Sequence, residues 1–457
     1  MKPDYDVIVV GAGLAGLTAA RQLERSNLRV LVIEARDRVG GRNEEVTLGN
    51  GLTLEVGGQW IGANQEKMFA LCREFDLKLI PTYNEGDNLL YINGKRKRMG
   101  SQRGAIPRLN PFVLLDLYRS IKKIDKLSAQ IDLTNPWQHT RAREWDGQTL
   151  ESWINQNIST HRAREYFRVV AEAVFATEAS DFSFLHFLFY LKSGQDLETL
   201  ISVEKGAQEY RVAGGTQQIS RCLAGSLQTP VLLDSPVVAL SQTDEGVTVQ
   251  SAAQDFTARK VVVSLPPTLA GRLHYDPPLP ALRDQLTQRV PAGSVIKSMA
   301  IYKEPFWRQD GLTGQAASFE GPVKITFDNS PEDGSYGVLL GFLEGADGRQ
   351  AAEWTAAQRQ QEVLACFARY FGKEALSPLE YLEKDWMAEP YTRGCYGGHF
   401  SPGVWTAYGP YLRQPCGHIH WAGAETADIW NGYMEGAVRS GERVAGEIVA
   451  TLDQTKR

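Results

Sequence analysis

Two apolar runs near the start of the chain flank a helical pattern. The first run covers 6–10, the helical pattern extends from 17 to about 26, and the second run covers 29–33. Runs that are apolar at every position are typical of parallel strands buried on both faces. The pattern therefore predicts that the chain begins with a strand, a helix and a second strand of one parallel sheet.

The middle of the chain has a different pattern. Apolar residues at helical spacing predict helices over 110–130 and 149–176. The segment 182–192 is rich in Phe and Leu, which indicates core packing for some residues and the lining of an apolar ligand cavity for others. From 279 to 384 helical and strand patterns alternate. Short β-branched runs predict four strands, at 231–233, 237–240, 247–249 and 261–263.

The turn after the first strand carries a nucleotide-binding pattern. Segment 11–16 is GAGLAG, and Glu34 ends the second strand. Gly11 allows the tight turn, Gly13 lets the backbone approach a pyrophosphate, and Gly16 lets helix and strand pack closely. The helix N-terminus presents free amides to phosphate. We expect a dinucleotide site in which Glu34 accepts hydrogen bonds from the ribose hydroxyls. Its carboxylate would repel the 2′-phosphate of NADP, whereas NAD and FAD are both compatible with the pattern.

Composition and charge exclude other classes. The 457 residues are 43% hydrophobic and 23% charged, with a net charge of −5. This balance disfavours a nucleic-acid partner. The basic cluster at 95–98 follows an Asn-Gly turn, so we interpret it as a solvated loop or an edge strand. No apolar run approaches the roughly 18–20 residues of a membrane span, and none is expected.

The cysteines and the N-terminus indicate a cytoplasmic protein. The five cysteines are widely spread, with no CxxC pair, which fits neither a disulfide scaffold nor a zinc site. The seven histidines lack ligand spacing, so no metal is expected. The first strand begins too early for a signal peptide to precede it. The oligomeric state stays open, with a homodimer as the commonest outcome.

Several segments resemble one family of flavoproteins. Segment 34–42 (EARDRVGGR) resembles the extended FAD fingerprint of the amine oxidase and phytoene desaturase superfamily, and 57–60 (GGQW) matches its second glycine pair. Segment 386–396 (WMAEPYTRGCY) closely resembles the flavin-attachment segment of mitochondrial monoamine oxidases. Segments 411–415, 421–427 and 430–437 are also similar to that family. The resemblance spans nearly the whole chain and implies FAD rather than NAD.

The resemblance implies an amine oxidase fold of the α/β class. In this fold a Rossmann-like FAD-binding domain of the glutathione reductase type is interrupted by an α+β substrate domain. The expected FAD-binding domain comprises 1–80, 206–278 and 388–457. The expected substrate domain comprises 81–205 and 279–387.

The family's cofactor contacts can be carried over residue by residue. Arg36 and Arg42 would contact phosphate and ribose, because a guanidinium pairs with phosphate through two bonds. Segment 423–426 would open the final helix and point its N-terminus at the flavin. The resulting cofactor contacts are Gly11, Gly13, Gly16, Glu34, Arg36, Gly41, Arg42, Gly57, Gly58, Gln59, Trp60, Val237, Trp386, Cys395, Gly423, Glu425, Tyr433 and Met434.

The chemistry is expected at four of the matched residues. Cys395 would form a thioether with the flavin, the alternative being an inert buried cysteine. Tyr396 and Tyr433 would flank the substrate nitrogen, the alternative being core packing. Lys297 would hold a water against the flavin, the alternative being an exposed strand lysine. Ile201 and Gln218 match positions that line the family's substrate cavity, and Glu435 is given no catalytic role.

The implied function is oxidative deamination of a primary or secondary amine, with O2 reduced to hydrogen peroxide. An L-amino acid oxidase is the first alternative, although Gln59-Trp60 stands where that family has an arginine for the carboxylate. A carotenoid-type desaturase and a non-catalytic FAD-binding scaffold are further alternatives. The substrate amine stays open, and a diamine would need an anionic group in the cavity, for which Glu172, Glu178 and Glu204 are candidates.

Overall fold

Two seven-stranded sheets organise the fold. The computed structural model describes residues 3–103, 109–252 and 254–454. The strands are β1 (Tyr5–Val10), β2 (Val30–Ile33), β3 (Glu45–Thr47), β4 (Thr53–Glu55), β5 (Trp60–Ile61), β6 (Leu79–Pro81), β7 (Asp87–Ile92), β8 (Lys95–Gly100), β9 (Tyr210–Val212), β10 (Val237–Thr243), β11 (Gly246–Ser251), β12 (Asp255–Val263), β13 (His274–Asp276), β14 (Val295–Tyr302), β15 (Leu312–Ser318), β16 (Val323–Asp328), β17 (Gly337–Glu344), β18 (Glu380–Asp385) and β19 (Ile419–Trp421).

Helices connect and cover these strands. The helix predicted over 149–176 is in fact two helices, because Ile158 is extended and the Thr160 side chain caps a new helix by accepting from the Ala163 amide. The helices are α1 (Leu14–Arg25), α2 (Glu66–Glu74), α3 (Pro111–Ser128), α4 (Ala142–Asp146), α5 (Leu150–Asn157), α6 (His161–Phe175), α7 (Phe184–Ser193), α8 (Leu197–Ile201), α9 (Gln217–Gly225), α10 (Pro267–Ala270), α11 (Ala281–Thr287), α12 (Phe306–Gln309), α13 (Gly345–Ala352), α14 (Ala356–Phe371), α15 (Val404–Tyr408) and α16 (Met434–Gln454).

The first sheet has the order β13-β10-β11-β12-β1-β2, with β19 also paired to β12. Strand β1 is parallel to both of its neighbours, and Val9 lies opposite Val32 on one side and Val262 on the other. The run at 231–233 is not a strand, since only Leu232 forms a bridge, to Ile33. Asp234 follows with a φ of 51°, which turns the chain away. This sheet draws its strands from the start, middle and end of the chain.

The second sheet has the order β18-β14-β17-β16-β15-β7-β8. Every residue of β14 and β17 is buried. The basic cluster at 95–98 lies on β8 at the sheet's edge. Helix α6, one of the helices between β8 and β9, packs against β16 of this sheet. In segment 182–192 both readings hold, because Phe187 and Phe189 are core residues and Tyr190 lines a cavity.

The end of the chain differs from the prediction. Segment 423–426 does not open the final helix: Ala424–Thr426 is a 3₁₀ turn, and α16 begins only at Met434. Positive φ angles at Trp430 and Gly432 separate the two. Glu435, which was given no catalytic role, is fully buried and accepts hydrogen bonds from the backbone amides of Lys67 and Met68. Among the described residues, no helix is both long and apolar enough to cross a membrane.

Candidate active site

A cavity of about 1510 Å³ is lined by residues of both sheets. Ordinary small-molecule pockets measure roughly 300–1,000 Å³, so this cavity has room for a cofactor and a substrate together. One end, here called the glycine end, is lined by the turn after β1 and by the end of β2. The other end, here called the helical end, is lined by α3, α6 and α8 together with β16 and β17.

The glycine end presents an uncapped helix N-terminus. Helix α1 begins after Gly13, and no side chain caps its first amides. A Cβ atom on Gly13 would meet nothing within 4 Å, whereas one on Gly16 would lie 2.0 Å from the Gly11 carbonyl oxygen. Gly13 therefore leaves space for a ligand, and Gly16 permits close packing of helix and turn. Free amides at a helix start attract an anion such as phosphate.

Glu34 and Arg36 complete this end. Glu34 accepts a hydrogen bond from the Ala12 amide through Oε2, at 2.8 Å, and both Glu34 and Arg36 line the cavity. Arg36 donates to Thr392 Oγ1 at 2.6 Å and forms an ion pair with Glu389 at 3.2 Å. Its Nε is buried without a partner among the described residues, which leaves one donor for a ligand.

Arg42 joins the first segment of the chain to the last. Its guanidinium donates to Glu425 Oε1 at 2.6 Å and to the Tyr396 carbonyl oxygen at 2.7 Å. Burial raises the pKa of Glu425, but the Arg42 charge outweighs burial and holds that pKa below its ordinary value. Glu425 does not line the cavity, so it acts on the site through Arg42.

Lys297 is buried on β14, which lies between β18 and β17 in the second sheet. Its ammonium group donates to the Gly57 carbonyl oxygen at 2.8 Å and to Gln59 Oε1, and it lies 6.0 Å from the centre of the Trp60 ring. Burial lowers the pKa of Lys297, and the negative charge of Glu55 opposes this change. Burial also raises the pKa of Glu55. Lys297 is therefore not an exposed strand lysine.

Cys395 and two tyrosines line the same cavity. Cys395 is only 5% exposed, and burial raises the pKa of its thiol to about 12. The Tyr396 hydroxyl donates to Glu344 Oε1 at 2.6 Å, and its ring lies 5.9 Å from that of Phe342. The Tyr433 ring lies 5.9 Å from that of Tyr190. The two tyrosines thus enter the cavity from separate segments of the chain, and each ring packs against a second aromatic ring.

Comparison with known proteins identifies the family. Residues 14–449 match the family described as flavin containing amine oxidoreductase. The chain belongs to this family. It is 41% identical over 455 residues to the "Probable flavin-containing monoamine oxidase A" of Dictyostelium discoideum, which is 99% of either chain.

Solved structures of the flavin-containing amine oxidoreductase family have the same fold. Wild-type putrescine oxidase bound to putrescine is 34% identical, with a TM-score of 0.93 over 98% of this chain and 99% of that one. Cyclohexylamine oxidase from Brevibacterium oxydans IH-35A is 30% identical, with a TM-score of 0.94 over 99% and 100%. The amine oxidase fold expected from the sequence is thereby confirmed, and the chain is an oxidoreductase that acts on amines.

The family's cofactor, FAD, fits the residues present. The uncapped start of α1 and the open space at Gly13 suit a pyrophosphate. The Trp60 indole nitrogen and Arg36 Nε are buried donors without partners among the described residues. The expected cofactor contacts that line the cavity are Gly11, Gly13, Glu34, Arg36, Gly41, Arg42, Gly57, Gly58, Gln59, Trp60, Val237, Trp386, Cys395, Gly423, Tyr433 and Met434.

Three expected site residues do not line the cavity. Gly16 and Glu425 lie behind its wall, where they support the turn and Arg42. Gln218 points elsewhere, because its amide donates to the carbonyl oxygens of Ala213 and Gly215. Ile201 does line the cavity. Gln208, which follows α8, lines the cavity, as do Gln102 and Gln315, and nothing in the sequence around Gln208 marks it.

The cavity also contains a carboxyl group that sequence reasoning missed. None of the three candidates lines it: Glu172 pairs with Lys324, Glu178 pairs with Arg349, and Glu204 accepts from the Arg103 amide. Glu344 lines it and is buried, whereas Asp125, Asp196 and Glu198, which also line it, are at least partly exposed. Burial raises the pKa of Glu344 to about 8. Its position as the one charged residue at the end of the apolar run 337–344 is a signal that could have found it.

Proposed function

We propose that the chain oxidises a primary or secondary amine to an imine, which hydrolyses to an aldehyde, while O2 is reduced to hydrogen peroxide. The observation that carries this proposal is that Tyr396 and Tyr433 line one cavity together with Cys395 and Lys297. In the amine oxidases that the chain resembles, the two tyrosines flank the substrate nitrogen, the cysteine is bonded to the flavin and the lysine holds a water against it.

The two tyrosines bind and orient the amine. The face of a phenol ring is negative, so it attracts an amine nitrogen without acting as a base. Two rings that narrow the same space also restrict the approach of the substrate, and such orientation contributes to rate. When bound, FAD supplies the acceptor for the two electrons of the C–H bond beside the nitrogen.

Lys297 supplies positive charge in a place that water does not reach freely. Its Nζ is held by the Gly57 carbonyl oxygen and by Gln59, so the ammonium group is fixed before any substrate arrives. A fixed charge in a buried site stabilises developing negative charge more strongly than a solvated one does. We propose that this charge assists the transfer of electrons to O2.

We further propose a thioether bond between Cys395 and the flavin. In support, Cys395 lines the cavity and is buried among Arg42 and Lys297, whose charges oppose the rise in its thiol pKa. Because the thiolate is scarce at neutral pH, bond formation should be slow. Acid precipitation should retain the yellow colour with the wild-type protein and release it from Cys395→Ser, and the mass of the peptide containing Cys395 should include the flavin.

A panel of amines and L-amino acids, assayed for hydrogen peroxide, tests the reaction. Within the described residues, the three cations whose charges act on Cys395 are engaged: Lys297 by Gln59, Arg42 by Glu425 and Arg36 by Glu389. A substrate carboxylate would therefore find no free partner there, and we expect amines alone to be oxidised. Peroxide from amino acids only would instead favour an L-amino acid oxidase, and no peroxide from any compound would favour a non-catalytic scaffold.

Location and assembly also remain proposals. All five cysteines are unpaired, which supports a reducing compartment such as the cytoplasm. A homodimer is the commonest assembly for proteins of this kind. Light scattering of the purified protein would determine the mass in solution.

A further inference from the structure

Glu344 is a buried carboxyl group at the wall of the amine site. It is the last residue of β17, is 4% exposed and lines the cavity. One carboxyl oxygen accepts the hydrogen bond from the Tyr396 hydroxyl at 2.6 Å. In the described part of the chain, the other oxygen has no hydrogen-bond partner. Buried carboxyl groups are normally paired with a cation, so this one calls for an explanation.

The charges around Glu344 do not provide that cation. Glu172 on α6 raises its pKa, and Lys324 on β16 lowers it. Lys324, however, is already in contact with Glu172 and lies 2.8 Å from Asp347 on α13. On β14, the residue opposite Glu344 is the apolar Val295. Burial therefore dominates, and the Tyr396 hydroxyl is the group that donates a hydrogen bond to Glu344 in the described part of the chain.

We propose that Glu344 is a positioning residue for amine oxidation, whose carboxyl group holds the Tyr396 hydroxyl and so fixes that ring at the wall of the amine site. This inference rests on the proposed function. It adds a residue that acts on the amine through Tyr396. The backbone of Tyr396 is already held by Arg42 at 2.7 Å, so the Glu344 bond fixes the remaining freedom, that of the ring.

Removing the carboxyl group should cost about as much as removing the hydroxyl it holds. Glu344→Leu leaves the buried hydroxyl without an acceptor, and we expect kcat/KM to fall about tenfold. Glu344→Gln keeps an acceptor oxygen of the same shape and should recover activity to within about threefold. Tyr396→Phe removes the other half of the pair. Both changes break the same hydrogen bond, between Tyr396 and Glu344. The fall in kcat/KM of the double variant Glu344→Leu/Tyr396→Phe should therefore be no larger than the greater of the two single falls.

The pH profile separates positioning from simple packing. A carboxylate accepts a stronger hydrogen bond than a neutral acid does, so the hold on Tyr396 tightens as pH rises through the pKa of Glu344, about 8. The ratio of kcat/KM between wild type and Glu344→Gln cancels the ionisation of the amine itself. We expect this ratio to rise between about pH 7 and 9. In Glu172→Gln, the matched control, loss of a neighbouring negative charge should shift that rise to lower pH.

Equilibrium binding gives a readout without turnover. tert-Butylamine has no C–H bond beside its nitrogen, so it can bind but cannot be oxidised. Calorimetry should show about tenfold weaker binding to Glu344→Leu than to wild type, with Glu344→Gln within about threefold. Equal binding to all three, a flat pH ratio, or losses that multiply in the double variant would each overturn the positioning role. A wild-type protein that oxidises no amine would overturn the proposed function instead, and the binding series would still decide the role of Glu344.

Discussion

The two ends of the cavity are built in different ways. The glycine end is formed by backbone: the turn after β1, the amides of α1 and the second glycine pair at 57–58. The helical end is formed by side chains from α3, α6, α8, β16 and β17, which lie far apart in the sequence. A backbone site needs glycine at fixed spacing, and that is visible locally. A side-chain site depends on tertiary packing, which no local pattern records.

The largest effect should come from filling the space behind the glycine turn. A side chain at Gly16 would lie 2.0 Å from the Gly11 carbonyl oxygen, so Gly16→Val should prevent FAD binding and lower the free energy of unfolding by about 3 kcal/mol. Gly13→Ala is the matched control, because its Cβ meets nothing within 4 Å. It should retain the unfolding temperature of the flavin-free chain but bind FAD more weakly. Flavin absorbance measures FAD binding, and thermal unfolding measures stability. If Gly16→Val and Gly13→Ala had the same FAD binding and the same stability, the claim that backbone packing forms the glycine end would be wrong.

The next largest effect should come from the Arg42–Glu425 pair. Glu425→Gln leaves the buried guanidinium without its counter-charge, so stability at pH 7 should fall by about 3 kcal/mol. The pKa of Glu425 is lower in the folded chain than the ordinary value near 4.3. Its contribution is therefore complete above about pH 4.3 and is lost as pH falls through the folded-state pKa.

Denaturant unfolding at several pH values tests this prediction. The wild-type advantage over Glu425→Gln should shrink below about pH 4.3 and stay constant above it. Arg42→Lys should also be less stable than the wild type, although it keeps the charge. Lysine cannot donate to both Glu425 and the Tyr396 carbonyl oxygen in the fork geometry of a guanidinium. A difference that does not change with pH would rule out the charge pair as its source.

Lys297 lies where the two ends meet. Lys297→Met keeps the length of the side chain but removes the charge, and we expect the reduced enzyme to react with O2 roughly a hundredfold more slowly. Lys303, exposed just beyond the same strand, provides the control variant Lys303→Met. Stopped-flow reoxidation compares them. A Lys297→Met enzyme that reoxidises at the wild-type rate would remove this residue from the chemistry.

The smallest effect should distinguish Gln208, which lines the cavity, from Gln218 on α9, which does not. Gln208 lines the cavity and Gln218 does not, so Gln208→Ala should raise the KM for the best amine about threefold, within the cost of one hydrogen bond. Gln218→Ala should leave the KM unchanged. Steady-state kinetics with one amine measures both variants. A higher KM in Gln218→Ala and an unchanged KM in Gln208→Ala would support the family-based prediction that Gln218 lines the substrate cavity.

Much of the first sheet could be predicted from sequence. The apolar runs at 6–10 and 29–33 became β1 and β2 because a strand buried on both faces leaves no polar position. The run at 231–233 has the same composition but forms only one bridge. Composition alone does not determine whether a neighbouring strand is available. The break at 158–160 was missed because the apolar spacing continues across it, whereas the cap is a single threonine.

The site divides in the same way. Residues matched by family motifs, such as Tyr396 and Lys297, line the cavity, although their roles stay predictions until tested. Gln218 was misplaced because two nearby backbone carbonyls engage its amide. Glu344 was missed because its neighbour Tyr396 is 52 residues away. Long-range contacts of this kind depend on how two sheets pack, and a single sequence does not show it.

Helix α16 has a consequence for how the protein is made. It packs against α1, where a Cβ on Gly441 would lie 2.4 Å from the Ala15 carbonyl oxygen. On a translating ribosome, α1 therefore waits for the 408 residues between Arg25 and Met434 to emerge before its partner arrives. Until then its apolar face is exposed, which makes the nascent chain a natural client for chaperones. Because Met434 of α16 lines the cavity, the pocket is complete only once this helix has emerged.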